Sequence, residues 1–222
     1  MSLQHETDYI NLKALIAEMA KECETMIHGS IKSLVERDSD LANEIINWDD
    51  KVDDLDIKID ALCRKIIALY EPKAGDLRFV LTAVRIIVDL ERIGDYCVDI
   101  CKEVIRINNV PQIKPYIDLP KMGESSAEML NDAINAYFNK DITSAAQVIK
   151  RDDTIDALHS QIIRELLTYI AEDIKKTSGV ISLMQITRCI ERIADHAVNI
   201  SELVYFMVEG KVIRHQKLED AL

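Results

Sequence analysis

Residues that make tight turns are scarce in this chain. Six glycines, four prolines and three phenylalanines among 222 residues leave little material for a hairpin-rich sheet. Net positive charge is missing as well: a formal charge of −12 argues against nucleic-acid binding, which concentrates Lys and Arg, and against docking on an anionic membrane surface. No segment is long and apolar enough to span a bilayer, since the most apolar one, Phe79 to Leu90, is broken by Arg85 and Asp89. The opening Met-Ser-Leu-Gln-His-Glu-Thr has no basic stretch leading into an apolar one, so no signal peptide is expected. Five cysteines, Cys23, Cys63, Cys97, Cys101 and Cys189, form no Cys-x-x-Cys pair and read as small buried side chains in a reducing cytoplasm. A phosphate-cradling glycine loop, a nucleophile elbow and a Cys/His zinc pattern are all absent.

What is present is a repeat. Leu90-Glu-Arg-Ile-Gly-Asp-Tyr-Cys-Val-Asp-Ile100 returns one hundred residues later as Ile190-Glu-Arg-Ile-Ala-Asp-His-Ala-Val-Asn-Ile200. The chain is an internal duplication. Three of the four prolines (Pro111, Pro115, Pro120) fall between Asn108 and Gly123, where two halves of similar length join. With 48% hydrophobic and 30% charged residues, the pattern is soluble and helical. Helices are expected near 6–38, 41–71, 76–108, 122–138, 141–173 and 178–209, separated by turn-forming and capping residues such as Arg37-Asp-Ser-Asp40 and Asn139-Lys-Asp141. Apolar residues alternate by three and four: Leu12, Ile16, Met19, Cys23, Met26 and Ser30 on the first helix, and Ile45, Trp48, Val52, Leu55, Ile59, Leu62, Ile66 and Leu69 on the second. These are bundle seams. The expected fold is all-α, two tandem pseudo-symmetric three-helix bundles over residues 1–111 and 112–222.

The duplicated element carries acids at helical spacing. Glu91, Asp95 and Asp99 stand four apart, as do Glu191, Asp195 and Asn199, forming ladders with steps of about 6 Å. An isolated Glu-x-x-x-Asp pair is ordinarily solvated surface. Three features set these apart. Val80, Val84 and Val88 lead along the same face into the first ladder, while Phe79, Ile86, Leu90, Ile93, Cys97 and Ile100 form a second apolar stripe, which predicts a partly occluded ladder. A facing row exists on the preceding helix: Asp49, Asp53, Asp56 and Asp60, matched by Asp152, Asp156 and His159 when Val52 is aligned with Ile155. The arrangement also occurs twice. Clustered carboxylates repel and call for cations, either a metal ion (Mg, Mn, Fe or Zn) or an arginine. Arg92, Arg188 and Arg192 keep the ion-pair alternative open on equal terms. Asp99 against neutral Asn199, with Arg188 on the second ladder face, predicts that the first half holds metal at least as well as the second. His159 and His196 offer nitrogen ligands only in the second half, though His196 reads better as a half-buried polar residue. His5, His28 and His215 have no evident partner.

At these residues the chain resembles the PhoU family of phosphate-signalling proteins. The family's doubled signature, Glu-Arg-Ile-Gly-Asp-His-x-x-Asn-Ile, is met by Leu90-Glu-Arg-Ile-Gly-Asp and by Ile190-Glu-Arg-Ile-Ala-Asp-His-Ala-Val-Asn-Ile200. Pro72-Lys-Ala-Gly-Asp-Leu-Arg78 and the tail Val204 to His215 are similar to further family segments. Tyr96 in place of His, Ala194 in place of Gly, and the Cys97-x-x-x-Cys101 segment depart from the pattern; Tyr96 removes a His ligand from the first half.

The resemblance implies a non-enzymatic, cytoplasmic, homodimeric negative regulator of phosphate uptake and of the phosphate-starvation response. It implies partners in the ATPase subunit of a phosphate ABC transporter and in a sensor histidine kinase. It also implies metal ions held by Glu91, Asp95, Glu191 and Asp195 with Asp49, Asp53, Asp152 and Asp156, extended by Asp99 and Asn199. Two other readings stay open: an accessory subunit of a low-affinity phosphate permease, and a carboxylate-bridged metalloenzyme using Asp156-x-x-His159.

Overall fold

The computed structural model describes residues 3–211. Six α-helices follow one another: α1 (Leu3–Glu36), α2 (Ser39–Tyr70), α3 (Ala74–Ile107), α4 (Asp118–Asn139), α5 (Ile142–Glu172) and α6 (Thr177–Glu209), with a single 3-10 turn at Ile174–Lys176. Among the described residues there is no strand, so the expected all-α fold stands. The tail resemblance runs on to His215, and its residues 212–215 lie outside the described residues.

The breaks come where the sequence places capping groups. Asp38 accepts from the backbone N–H groups of Asp40 and Leu41 to start α2, and Asp141 accepts from Thr143 and Ser144 to start α5. Arg37 and Lys140, just before those caps, take left-handed φ values of 55° and 56°. The one clear departure is α4, which begins at Asp118 instead of near 122. Pro120 lies in its first turn, where a missing N–H breaks no helical bond, and Leu119 and Met122 anchor that turn in the core.

The helices form two groups that share one core. A layer runs in the order α2, α3, α6, α5; α1 packs behind α2 and α3, α4 behind α5 and α6, and α1 meets α4. The central pair, α3 and α6, is antiparallel: Arg78 donates Nε–H to the carbonyl of Met207 at 2.8 Å, while Asp89 pairs with His196 farther along. At about 1.5 Å per residue these helices reach about 50 Å. Pseudo-symmetry extends to single bonds. The Cys23 thiol donates to the Leu90 carbonyl at 3.3 Å, and the Ser126 hydroxyl contacts the Ile190 carbonyl at 3.4 Å. Gly123 marks a close approach of α1 and α4, since a Cβ there would meet Ile31 Cγ1 at 2.6 Å.

The α1 seam is buried throughout, as its spacing predicts. The α2 seam is buried at Ile45, Val52, Leu55, Ile59 and Ile66, but Trp48 and Leu62 are only half-buried and Leu69 is 64% exposed. Near its end the core row shifts to Cys63, because a seven-residue repeat drifts around a straight helix by about 20° per heptad. Trp48 works at the edge instead, donating Nε1–H to Glu22 and carrying the Lys51 ammonium 3.4 Å above its ring. All five cysteines are free and buried, and burial raises their thiol pKa values, to about 12 for Cys63, Cys101 and Cys189.

Candidate metal centres

The acids sit in two creases of the four-helix layer. In the first, between α2 and α3, Asp49, Asp53, Glu91 and Asp95 are close enough to act on one another. Burial and then the negative charges of Asp53, Asp95 and Glu91 push the Asp49 carboxyl up to about 6. Burial and Asp95 raise Glu91, against a downward pull from Arg92. In the second crease, between α5 and α6, burial followed by Asp156, Asp195 and Glu191 pushes Asp152 up to about 7. Burial also raises Asp195, opposed by Arg192 and His196.

The arginine alternative accounts for part of this charge. Arg92 Nη1 lies 3.0 Å from Asp95 and its Nε 3.5 Å from Glu91; Arg192 repeats the pattern at 3.2 Å from Asp195 and 3.9 Å from Glu191. These pairs are partly exposed and contribute little stability. They leave the deeper acids without a cation. Asp152 Oδ1 is buried with no hydrogen-bond partner, and no ion pair reaches Asp49 or Asp152 among the described residues. Each desolvated carboxyl is therefore held part-way to its neutral form.

Backbone shape matters to the first crease. A Cβ on Gly94 would stand 2.8 Å from Asp49 Oδ1, so the bare glycine lets that carboxylate lie against α3. Ala194 stands at the same register position one hundred residues on.

The remaining sequence candidates go elsewhere. Asp99 bonds Lys102 at 3.4 Å and acts on the Cys189 thiol across α6. Asn199 donates to Asp89 at 3.3 Å, across the α3–α6 junction. Eight residues along a helix turn the side chain by about 80°, which carries both ladder ends away from the creases. The same drift exposes Val88 (56%), so the apolar stripe of Val80 and Val84 leaves the core before it reaches Glu91. On α2, Asp60 pairs with Arg64 at 2.8 Å. His196 is half-buried: its Nδ1 lies 2.8 Å from Asp89, and its ring centroid 5.7 Å from that of Tyr96. No hydrogen bond or ion pair joins His159 to the second crease among the described residues. Two histidines read as isolated have partners: His5 packs on Tyr9 and Tyr70, and His28 lies between Glu24 and Glu124.

Asp89, which lies outside the repeated ladders, joins the halves through His196 and Asn199. Its seven-residue spacing from Tyr96 puts both on one helix face, a signal that was available. Gly94 was visible too, as a glycine inside a long helix, which points to close packing.

The donor chemistry fits a cation. The acids offer oxygen ligands suited to Mg or Mn and acceptable to Fe or Zn, and the unpartnered Asp152 Oδ1 gives the second crease a buried acceptor. Their placement is only part of a coordination sphere. Among the described residues no three His, Cys, Asp or Glu side chains converge on one point, and Glu91, Asp95, Glu191 and Asp195 are turned toward their arginines.

Comparison with known proteins gives one consistent answer. The PhoU domain family matches residues 16–104 and again 119–204. The chain is 37% identical over 208 residues to a phosphate-specific transport system accessory protein PhoU homolog of Aquifex aeolicus, covering 94% of each chain. It is 31% identical over 215 residues to the phosphate-specific transport system accessory protein PhoU of Escherichia coli, covering 97% of this chain and 89% of that one. Its fold superimposes on the crystal structure of PhoU from Pseudomonas aeruginosa with a TM-score of 0.88 at 29% identity, over 93% of this chain and 99% of that chain. The phosphate transport system regulatory protein PhoU from Streptococcus pneumoniae gives 0.78 at 26% identity, over 94% and 95%. With two matches to the same domain and near full-length relatives above 30% identity, the chain belongs to the PhoU domain family.

Proposed function

We propose that this protein is an accessory protein of phosphate-specific transport that represses phosphate uptake and the phosphate-starvation response by contact with other proteins. One observation carries the reading: kinship with accessory proteins of that transport system along nearly the whole chain. The partners proposed are the ATPase subunit of a phosphate ABC transporter and a sensor histidine kinase, met in the cytoplasm by a homodimer. Among the described residues no helix is long and apolar enough to cross a membrane. Residues 1–111 and 112–222 serve as its two repeat units. It works by binding, not turnover, and long helices with charged outer faces suit broad docking.

In the same reading, metal ions are held in the first crease by Asp49, Asp53, Glu91 and Asp95, and in the second by Asp152, Asp156, Glu191 and Asp195. A bound cation supplies positive charge that the two arginines do not bring to the deeper acids. The residues themselves do the rest: Asp49 and Asp152 give up their protons, and Arg92 and Arg192 release the acids they now hold. The raised Asp49 and Asp152 carboxyls support this.

A deletion strain grown in ample phosphate tests the regulatory claim. Starvation genes are expected to switch on, and the purified protein is expected to capture the ATPase subunit or the kinase. A normal starvation response with failed uptake through a low-affinity permease replaces this reading with the permease-subunit one.

A further inference from the structure

The first crease has an apolar rim beside its acids. Ile57 on α2 is 65% exposed and Val88 on α3 is 56% exposed, and they flank a groove whose other walls are Asp53, Asp56 and Glu91. Neither apolar side chain contributes to the core at that exposure. Singly they would need no explanation, but two across one groove make an apolar strip with acids on both sides. Arg92 reaches Glu91 at 3.5 Å, while no ion pair reaches Asp53 or Asp56 among the described residues.

The second crease lacks this character. Under the alignment that pairs Val52 with Ile155, Ile57 becomes Ser160 and Asp56 becomes His159, and one hundred residues after Val88 stands Arg188. Both apolar residues are lost, one acid is lost and a cation is gained. The helical scaffold is the same, so the scaffold does not require the apolar rim.

We propose that the α2–α3 groove is the docking surface for an amphipathic helix of a partner protein, one that sets Lys or Arg beside its apolar face. The apolar face covers Ile57 and Val88 while a basic residue meets Asp56, the acid of the groove that is not assigned to metal, a helix-in-groove contact with complementary charge. A second copy of this chain, with 39 acids to 27 Lys and Arg, matches this acidic groove less well than a basic helix does. The inference rests on the adaptor reading above and adds to it the half that docks and the chemistry that it recognises.

The test uses the full chain and a fluorescently labelled helical peptide of Leu and Lys, about four turns long, with Leu at three- and four-residue spacing. A scrambled peptide of the same composition controls for bulk charge. Ile57→Ser with Val88→Ser removes the rim without changing charge or any acid. Ile10→Ser with Ile174→Ser removes two side chains of comparable exposure elsewhere, 61% and 78%. Circular dichroism melts confirm that both variants fold. The expected result is preference for the patterned peptide, weakened about tenfold or more by the rim variant and unchanged by the control variant. Equal binding by the two variants, or no preference for the patterned peptide, overturns the inference.

Capture of the ATPase subunit and the kinase separates this inference from the reading beneath it. Loss of capture in the rim variant alone supports both. Equal capture by wild type and rim variant overturns the groove and leaves the adaptor standing. If wild type captures neither protein, the adaptor reading fails and the peptide measurement decides the groove. A rim variant that loses self-association instead gives the groove to a second copy and overturns the proposal.

Discussion

The two halves keep the same four acids and the same arginine pairs, yet differ around them. Glu91, Asp95 and Arg92 have the geometry of Glu191, Asp195 and Arg192 to within a few tenths of an ångström. Beside them, Gly94 is replaced in the second half by Ala194, Tyr96 by His196, and Val88 by Arg188. The deep acids are raised alike, Asp49 to about 6 and Asp152 to about 7, by burial first and then by the other acids of their own crease. Two halves on one backbone plan thus surround the same four acids with different neighbours. The duplication fixes where the acids stand, and burial together with mutual repulsion sets how tightly each deep acid holds its proton.

The largest effect should come from removing the ladder acids. Glu91→Ala with Asp95→Ala should lower bound metal at pH 7 more than Glu191→Ala with Asp195→Ala, since the Asp152 carboxyl, pushed up to about 7, holds a proton that competes with the metal. Metal content of the two double variants measures it. The difference should narrow by pH 8, and equal losses at pH 7 would break the comparison. The sequence ranks the halves the same way through Asp99 and Arg188, but Asp99 bonds Lys102 away from the crease, and the ranking rests on the deep acid.

Next is the pH dependence of stability in protein stripped of metal. An acid whose folded pKa is raised binds its proton more tightly in the folded state, so unfolding releases protons. Its contribution favours the folded chain at low pH and declines as pH rises from about 4 through the folded values of about 6 and about 7. Thermal midpoints should therefore fall by a few degrees between pH 5 and pH 8. Asp152→Asn should flatten the upper part of that fall and Asp49→Asn the lower part. A midpoint that rises across the window in wild type, or an unaltered slope in both variants, contradicts the assignment.

The smallest effect is the sharpest on geometry. Gly94→Ala should stabilise the helix by about 0.5–1 kcal/mol while its Cβ turns Asp49 away from α3, weakening metal binding in the first half only. The reverse change, Ala194→Gly, should cost a similar amount. Calorimetry and a metal titration on each variant check the pair, and a first site that binds normally in Gly94→Ala would show that the close approach is incidental.

Much of this was legible in the sequence because it rests on periodicity. The buried α1 seam, the caps at Asp38 and Asp141, and the pairing of Asp49 and Asp53 with Glu91 and Asp95 all follow from helical spacing plus one repeat. What stayed hidden depends on how far a helix rotates over several turns. Four-residue spacing puts Asp99, Asn199 and Val88 in line with the acids, but a drift of about 40° per four residues carries them off that line. The start of α4 was hidden for another reason: Pro120 reads as a linker residue until its place in a first turn is known. Contacts between the halves, such as Asp89 with His196, require the antiparallel register of α3 and α6, which no local pattern encodes.

The central claim is that the deep acids of both creases are cation sites. Metal analysis of protein purified without chelator, then equilibrated with Mg, Mn, Fe or Zn, tests it most directly when wild type is compared with a combined Asp49→Asn and Asp152→Asn variant. The account predicts bound metal in wild type and its loss from the folded variant. Wild type that retains none of the four, or a variant that retains as much as wild type, would contradict it.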